Sequence, residues 1–208
     1  MNSPAPLAFR LPLVAILRGI RPEEALAHVG ALVEEGYDAI EVPLNSPGWR
    51  DSIALVRREY GGSASIGAGT VLRETEVDAL VELGVPYIVT PNTRPALIAH
   101  AVQSGLQVMA GFATASEALA ALDAGAQMLK LFPASVYGPG LVRAVRSVLP
   151  PVPVFAVGGI APAAVRDFIA AGCTGVGIGG ELYKAGQALE RTRSQARAFR
   201  AAFEACMP

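Results

Sequence analysis

Short runs rich in Val, Ile, Ala and Gly alternate along the chain with longer Ala- and Leu-rich stretches whose apolar positions recur at helical spacing. This is the pattern of parallel strands joined by crossover helices. Eight such runs stand at 13–19, 39–44, 65–71, 87–92, 107–112, 128–133, 154–159 and 175–179. Pro22, Pro47, Pro95 and Pro162 fall near the first turns of the intervening helices, where a missing N–H costs nothing. Gly36, Gly84, Gly105, Gly125 and Gly172 stand where helices should end, and Thr114 three residues ahead of Glu117 reads as a capping box. Dividing 208 residues by eight leaves 26 per unit, enough for one strand, one helix and two short loops. The expectation is an α/β fold, a single (β/α)8 TIM barrel domain over residues 1–208, with its site at the C-terminal ends of the strands. An open doubly wound sheet shares the alternation, and the count of eight argues against it.

Composition narrows the function classes. With 17 basic and 18 acidic residues the formal charge is -1, so neither a nucleic-acid footprint nor a membrane-surface anchor has electrostatic support. Hydrophobic residues at 52% against 17% charged exclude disorder. Residues 1–9 lack a basic n-region and contain Pro4 and Pro6, against a signal peptide. Two stretches free of Asp, Glu, Lys and Arg, 95–116 and 147–165, are excluded as membrane spans, the first by its polar residues and the second by its four prolines. Cys173 and Cys206 have no metal or disulfide spacing, which fits a reducing cytoplasm.

Of the 17 basic residues only Lys130 and Lys184 are lysines. Lys130 interrupts the apolar strand Met128-Leu129-Lys130-Leu131-Phe132, where a closed barrel leaves no face for water. Burial lowers a lysine's pKa and populates the neutral amine that a Schiff-base nucleophile requires, although a lysine that snorkels out or pairs with a carboxylate fits the same position. Glu41, inside Ala39-Ile40-Glu41-Val42-Pro43-Leu44, is an acid/base candidate, or else a structural partner of Arg18 or Lys130. Arg18, closing the first strand, could grip a carboxylate with its forked donors, and Thr70 offers a hydroxyl at the same mouth. Gly158-Gly159 and Gly179-Gly180 end strands seven and eight, where barrels commonly bind phosphate with backbone N–H groups and a following helix N-terminus. Gly175, Gly177 and Gly180 match G-x-G-x-x-G formally, but no further βαβ unit follows, so no dinucleotide site is expected. His28 and His100 lie in helices without a second metal ligand and are expected exposed or half-buried; no metal site is expected. The charged tail 190–200 is expected to be a solvated helix face.

Six strings appear in order: Ala15-Ile16-Leu17-Arg18-Gly19, Glu41-Val42-Pro43-Leu44-Asn45-Ser46-Pro47, Gly67-Ala68-Gly69-Thr70-Val71, Val89-Thr90-Pro91-Asn92, Leu129-Lys130-Leu131-Phe132-Pro133 and Phe155-Ala156-Val157-Gly158-Gly159-Ile160. Together they resemble the class I 2-keto-3-deoxy-6-phosphogluconate and -galactonate aldolases over nearly the whole chain. The resemblance implies a homotrimeric barrel acting on a phosphorylated 2-keto acid with neither cofactor nor metal. Lys130 would be the Schiff-base lysine and Glu41 the general base. Arg18 and Thr70 would hold the carboxylate, Gly158, Gly159, Gly179 and Gly180 the phosphate, and Pro91 and Phe132 would wall the pyruvate pocket. Asn45 and Val157 stand where the phosphogluconate branch usually has an arginine and a threonine, which is similar to the phosphogalactonate branch. Ala161 and Gly180 stand where relatives often carry hydroxyls, so backbone N–H groups are expected to bear more of the phosphate grip. Cleavage of phosphogluconate or 4-hydroxy-2-oxoglutarate substrates on the same scaffold is the nearest alternative. A phosphosugar isomerase or epimerase, or a non-catalytic sugar-phosphate sensor, would share the glycines without needing a lone buried lysine.

Overall fold

The computed structural model describes residues 9–207; residues 1–8, with the Pro4 and Pro6 that argue against a signal peptide, and Pro208 lie outside the described residues. Strands β1 (Leu13–Ile16), β2 (Ala39–Pro43), β3 (Ser65–Gly69), β4 (Tyr87–Val89), β5 (Gln107–Phe112), β6 (Met128–Leu131), β7 (Val154–Val157) and β8 (Gly175–Ile178) form a closed parallel barrel in chain order, with β8 pairing back onto β1. Outside it lie α1 (Pro22–Glu34), α2 (Trp49–Tyr60), α3 (Glu74–Glu82), α4 (Pro95–Gln103), α5 (Ala115–Asp123) and α6 (Ala134–Arg146). A 3₁₀ turn (Pro162–Ala164) runs into α7 (Val165–Ala170), and α8 (Leu189–Glu204) completes the ring. This is the (β/α)8 architecture expected from the alternation. Among the described residues no helix is long and apolar enough to cross a membrane.

Each strand begins at the expected residue, and all but β5 stop one to three residues sooner. The physical reason lies just beyond them, where Gly19, Thr70 and Gly158 take positive φ and Pro91 supplies no N–H, so the ladder cannot continue. Arg18 therefore lies two residues past β1 rather than closing it, and Gly158, Gly159, Gly179 and Gly180 likewise come after the ends of their strands.

Alternation along the strands divides the core in two. Outward residues such as Leu13, Ala15, Ile40, Val42, Leu129 and Leu131 pack against the helices. Inward residues Val14, Ile16, Ala39, Tyr87, Val89, Met109, Met128, Phe155 and Val157 form a second cluster inside the barrel. The inward parity of Ala39 and Met128 also turns Glu41 and Lys130 to the interior, two positions further toward the C-terminal mouth. At the opposite end the Phe9 ring lies 5.6 Å from that of Tyr87 and 6.1 Å from that of Phe155, closing the barrel floor.

Two sequence expectations need correction. His28 is buried, not exposed, because α1 turns it toward α8, where its Nδ1 is 2.8 Å from Thr192 Oγ1. The charged tail is solvated on one face only. Thr192, Ala196, Phe199 and Phe203 of α8 are buried, and Arg193 and Arg197 pair with Glu34 and Glu35 at the end of α1. His100, by contrast, is half-exposed and 2.7 Å from Asp78, as a surface helix residue should be.

So narrow a barrel needs missing side chains on its inner face. A Cβ at Gly67 would strike the Tyr87 ring, whose hydroxyl donates to the Ile40 carbonyl at 3.0 Å. Gly67→Val is therefore expected to destabilise the protein by about 1–3 kcal/mol through overpacking, lowering Tm by roughly 2–4 °C per kcal/mol. Thermal melting of the variant checks this; an unchanged Tm would mean that Tyr87 has room to move.

Candidate active site

At the C-terminal ends of the strands the mouth holds a cavity of about 360 Å³. Ten of the eleven residues singled out from the sequence line it: Arg18, Thr70, Pro91, Lys130, Phe132, Val157, Gly158, Gly159, Gly179 and Gly180. Glu41 is not among the lining residues; it is 1% exposed, deeper on the same inner face. Ile16 lines the cavity and was missed, though its place two residues before Arg18 and in phase with Val14 was a usable signal.

Lys130 is 4% exposed, with its Nζ 5.1 Å from the centre of the Phe132 ring. Burial pushes its pKa below that of an ordinary lysine; the nearby Glu41 carboxylate opposes the shift and the Arg18 charge adds to it. Burial conversely raises the Glu41 carboxyl above the usual range, against the pull of Lys130 and Arg18. Glu41 Oε1 has no hydrogen-bond partner, and among the described residues no ion pair within 4.0 Å joins Glu41 to either cation. The missing side chain of Gly69 makes space for this carboxylate, since a Cβ there would collide with it.

Arg18 is held from the neighbouring unit instead. Its Nη1 donates to Asn45 Oδ1 at 2.9 Å and reaches Thr70 Oγ1 at 3.5 Å, while Ser46 Oγ accepts from the Gly19 N–H at 2.9 Å. Asn45, noted in the sequence only as a branch marker, thus orients the mouth arginine. Thr70 has φ 57, a left-handed conformation that costs a β-branched residue of the order of 1–3 kcal/mol and bends the chain at the end of β3.

The glycines divide into two kinds. Gly158 and Gly159 have φ 98 and 69, and a Cβ would meet the Phe132 ring at 3.1 Å in the first case and Ser135 Oγ at 2.5 Å in the second. Gly179 and Gly180 would meet nothing within 4 Å, so local packing does not demand glycine there; a side chain would simply occupy the open mouth. The helix N-terminus that follows β8 does not abut Gly180. The chain instead turns through Leu182 and Tyr183, whose N–H groups donate to the Gly179 carbonyl at 2.8 and 2.9 Å, and α8 begins only at Leu189.

A larger cleft, about 630 Å³, opens at the opposite end of the barrel beside Arg10, Asp38 and Arg57. Its carboxylate is already satisfied. Asp38 accepts from the Arg10 N–H at 2.8 Å, from Arg10 Nε at 3.3 Å and from the Leu11 N–H at 3.3 Å. Size alone does not indicate chemistry; the smaller mouth cavity is where buried, unpaired ionisable groups converge.

Comparison with known proteins gives the family of the chain. Residues 8–196 match the family model described as KDPG and KHG aldolase. The chain is 54% identical over 191 residues to the 2-dehydro-3-deoxy-6-phosphogalactonate aldolase of Escherichia coli (strain K12), covering 91% of this chain and 93% of that protein. Its fold matches the native KDPGal structure with a TM-score of 0.94 and 52% identity, over 96% of this chain and 98% of the other. A chain of a cube-shaped protein cage, designed by fusing symmetric oligomeric domains, matches with a TM-score of 0.93 and 53% identity, over 95% of this chain and 73% of that one. With a likeness that runs from before the first strand into the last helix, the chain belongs to the KDPG and KHG aldolase family.

Proposed function

We propose that this chain, as one barrel domain over residues 1–208, is a class I aldolase that reversibly cleaves 2-keto-3-deoxy-6-phosphogalactonate to pyruvate and glyceraldehyde 3-phosphate. The observation that carries the reading is a desolvated lysine together with a buried carboxylate whose Oε1 has no hydrogen-bond partner among the described residues, both on the inner face of one barrel mouth. Identity of 54% to an aldolase named for that substrate supports the choice of epimer.

The neutral Lys130 Nζ attacks the C2 carbonyl carbon, and the carbinolamine hydroxyl, protonated with the assistance of Glu41, leaves as water to give an iminium. Glu41 takes the proton of the C4 hydroxyl as the C3–C4 bond breaks. The bonding pair moves into the iminium to form an enamine, and glyceraldehyde 3-phosphate departs. Glu41 then returns a proton to C3, and water hydrolyses the iminium to free pyruvate and the amine. Arg18, aimed by Asn45, and Thr70 bind the carboxylate; Pro91 and Phe132 enclose the pyruvate moiety. The open backbone at Gly158, Gly159, Gly179 and Gly180 receives the phosphate. The lysine serves as the electron sink, so the scheme uses neither metal nor cofactor.

The same reading extends to assembly and location. A homotrimer is favoured by the likeness to a domain used as a symmetric oligomer and by Val136 and Tyr137, which are 75% and 45% exposed. A cytoplasmic location suits two free cysteines, Cys173 and Cys206.

Borohydride reduction in the presence of pyruvate is expected to label Lys130 and not the exposed Lys184, with Lys130→Ala losing nearly all turnover while remaining folded. An adduct mapped to Lys184, or no adduct, would sink the mechanism. Glu41→Gln should slow turnover about 10²–10⁴-fold. The pH profile gives a second reading of the same pair. Both the neutral amine and the ionised carboxylate are lost as pH falls, so kcat/KM should decline on the acid side. Its inflection should lie between the ordinary carboxylate value of 4.5 and the ordinary lysine value of 10.5. A profile flat across that interval would remove both groups from the chemistry.

Substrate choice is tested at Val157, the inward residue of β7 beneath Gly158. An apolar side chain there leaves a substrate hydroxyl pointing at β7 unpaired. The wild type is expected to prefer the phosphogalactonate over the phosphogluconate by about 1–3 kcal/mol in kcat/KM, and Val157→Thr to narrow that margin. A wild-type preference for the gluco epimer would overturn the branch assignment while leaving the Schiff-base reading intact.

A further inference from the structure

The segment after β8 presents a problem of rigidity. Gly179 and Gly180 have no side chains and nothing packs where a Cβ would stand, so the direction of their N–H groups must be fixed by the chain beyond them. Residues 181–188 connect Gly180 to α8, and the hydrogen bonds of this connection converge on one side chain. Gln187 Oε1 accepts from the Lys184 N–H at 3.0 Å, which fixes the orientation of the amide. Its Nε2 then donates to the Leu182 carbonyl at 2.9 Å and to Thr192 Oγ1 at 2.7 Å. Thr192 Oγ1 in turn shares a hydrogen bond of 2.8 Å with His28 Nδ1. Burial lowers the His28 pKa, against the pull of Glu24, and so favours the neutral imidazole. One residue along from Leu182, Tyr183 is 1% exposed and its hydroxyl donates to Glu24 Oε1 at 2.9 Å. Both Leu182 and Tyr183 also donate their N–H groups to the Gly179 carbonyl.

We propose that Gln187, with Thr192 and His28 on one side and the Tyr183–Glu24 hydrogen bond on the other, is a positioning network that aims the Gly179–Gly180 backbone. It thereby sets the affinity for the phosphorylated end of the substrate without touching it. The proposal rests on the assignment of phosphate to those glycines under the aldolase reading. It explains why polar side chains are buried between α1 and α8 behind an apolar barrel wall, where leaving any one of them unpaired would be costly. It also joins the two grips on the substrate. Glu24 lies in the first turn of α1, just beyond Arg18, and a Cβ on Gly19 would come within 3.2 Å of the Ala185 Cβ, so the turn after β1 rests on the turn after β8.

Two variants test it by a split that a merely structural role would not produce. Tyr183→Phe keeps the buried ring and removes one hydrogen bond; Gln187→Glu keeps the acceptor and removes both donors. Each is assayed in the condensation direction with pyruvate and either glyceraldehyde 3-phosphate or unphosphorylated glyceraldehyde, alongside borohydride trapping of pyruvate. KM for the phosphorylated aldehyde is expected to rise several-fold to roughly tenfold, the scale of one or two lost neutral hydrogen bonds. Trapping of pyruvate and kcat/KM for glyceraldehyde should stay at wild-type values. Equal losses with both aldehydes, or no change with either, would overturn the proposal. If the wild type itself did not distinguish the two aldehydes, the phosphate assignment would fall first and the network with it. Should Gln187→Glu fail to fold, Tyr183→Phe alone decides.

Discussion

Desolvation of an amine inside a closed barrel is the constraint around which the molecule is arranged. An ammonium at Lys130 has almost no water and no carboxylate within ion-pair distance among the described residues, so its charged form is disfavoured there. The same burial disfavours the charged form of Glu41. The two groups stand beyond ion-pair distance, so the neutral form of the amine is favoured and the carboxylate, once ionised, is a stronger base than an exposed one. Direct pairing would have stabilised both charges, removing the nucleophile and weakening the base.

Keeping such groups inside requires volume, and the strands supply it by omission. Gly67 and Gly69 on β3 give place to the Tyr87 ring and the Glu41 carboxylate, and a Cβ on Gly177 in β8 would press on Val157 and Ile16. Gly67, Gly69 and Gly177 are each matched to a side chain on an adjacent strand, whereas a Cβ on Gly111 or Gly175 would strike backbone at Pro91 or Pro12. Those beyond the strand ends at Gly179 and Gly180 have no such neighbour, and the difference separates glycine used for packing from glycine left open toward the mouth.

Much of this was legible in the sequence because the signals were local. Strand starts are marked by runs of β-branched residues, and a lone lysine in an apolar strand is visible without coordinates. Strand phase alone leaves Lys130 either inside the barrel or in the helix layer; only the inward packing of Ala39 and Met128 fixes Glu41 and Lys130 on the inner face. What could not be read were relations between distant segments. Asn45 orients Arg18 across 27 positions, and His28 meets Thr192 across 164, because barrel closure brings α8 against α1. Burial of His28 depends on that closure, which no local feature of α1 marks, so sequence alone points to an exposed or half-buried residue. The separation of α8 from Gly180 is likewise not marked locally: residues 181–188 form a turn held by a side-chain amide.

The aromatic floor made by Phe9, Tyr87 and Phe155 closes the barrel interior at the end opposite the mouth. Solvent enters from the mouth alone if the floor holds, and a substrate seated in the mouth then acts as the stopper. While substrate is seated, a proton collected by Glu41 can reach bulk water only past the substrate itself. The first described residue, Phe9, therefore bears on the chemistry from the far side of the sheet: an opening there would turn a one-ended vessel into a channel and wet the amine from below.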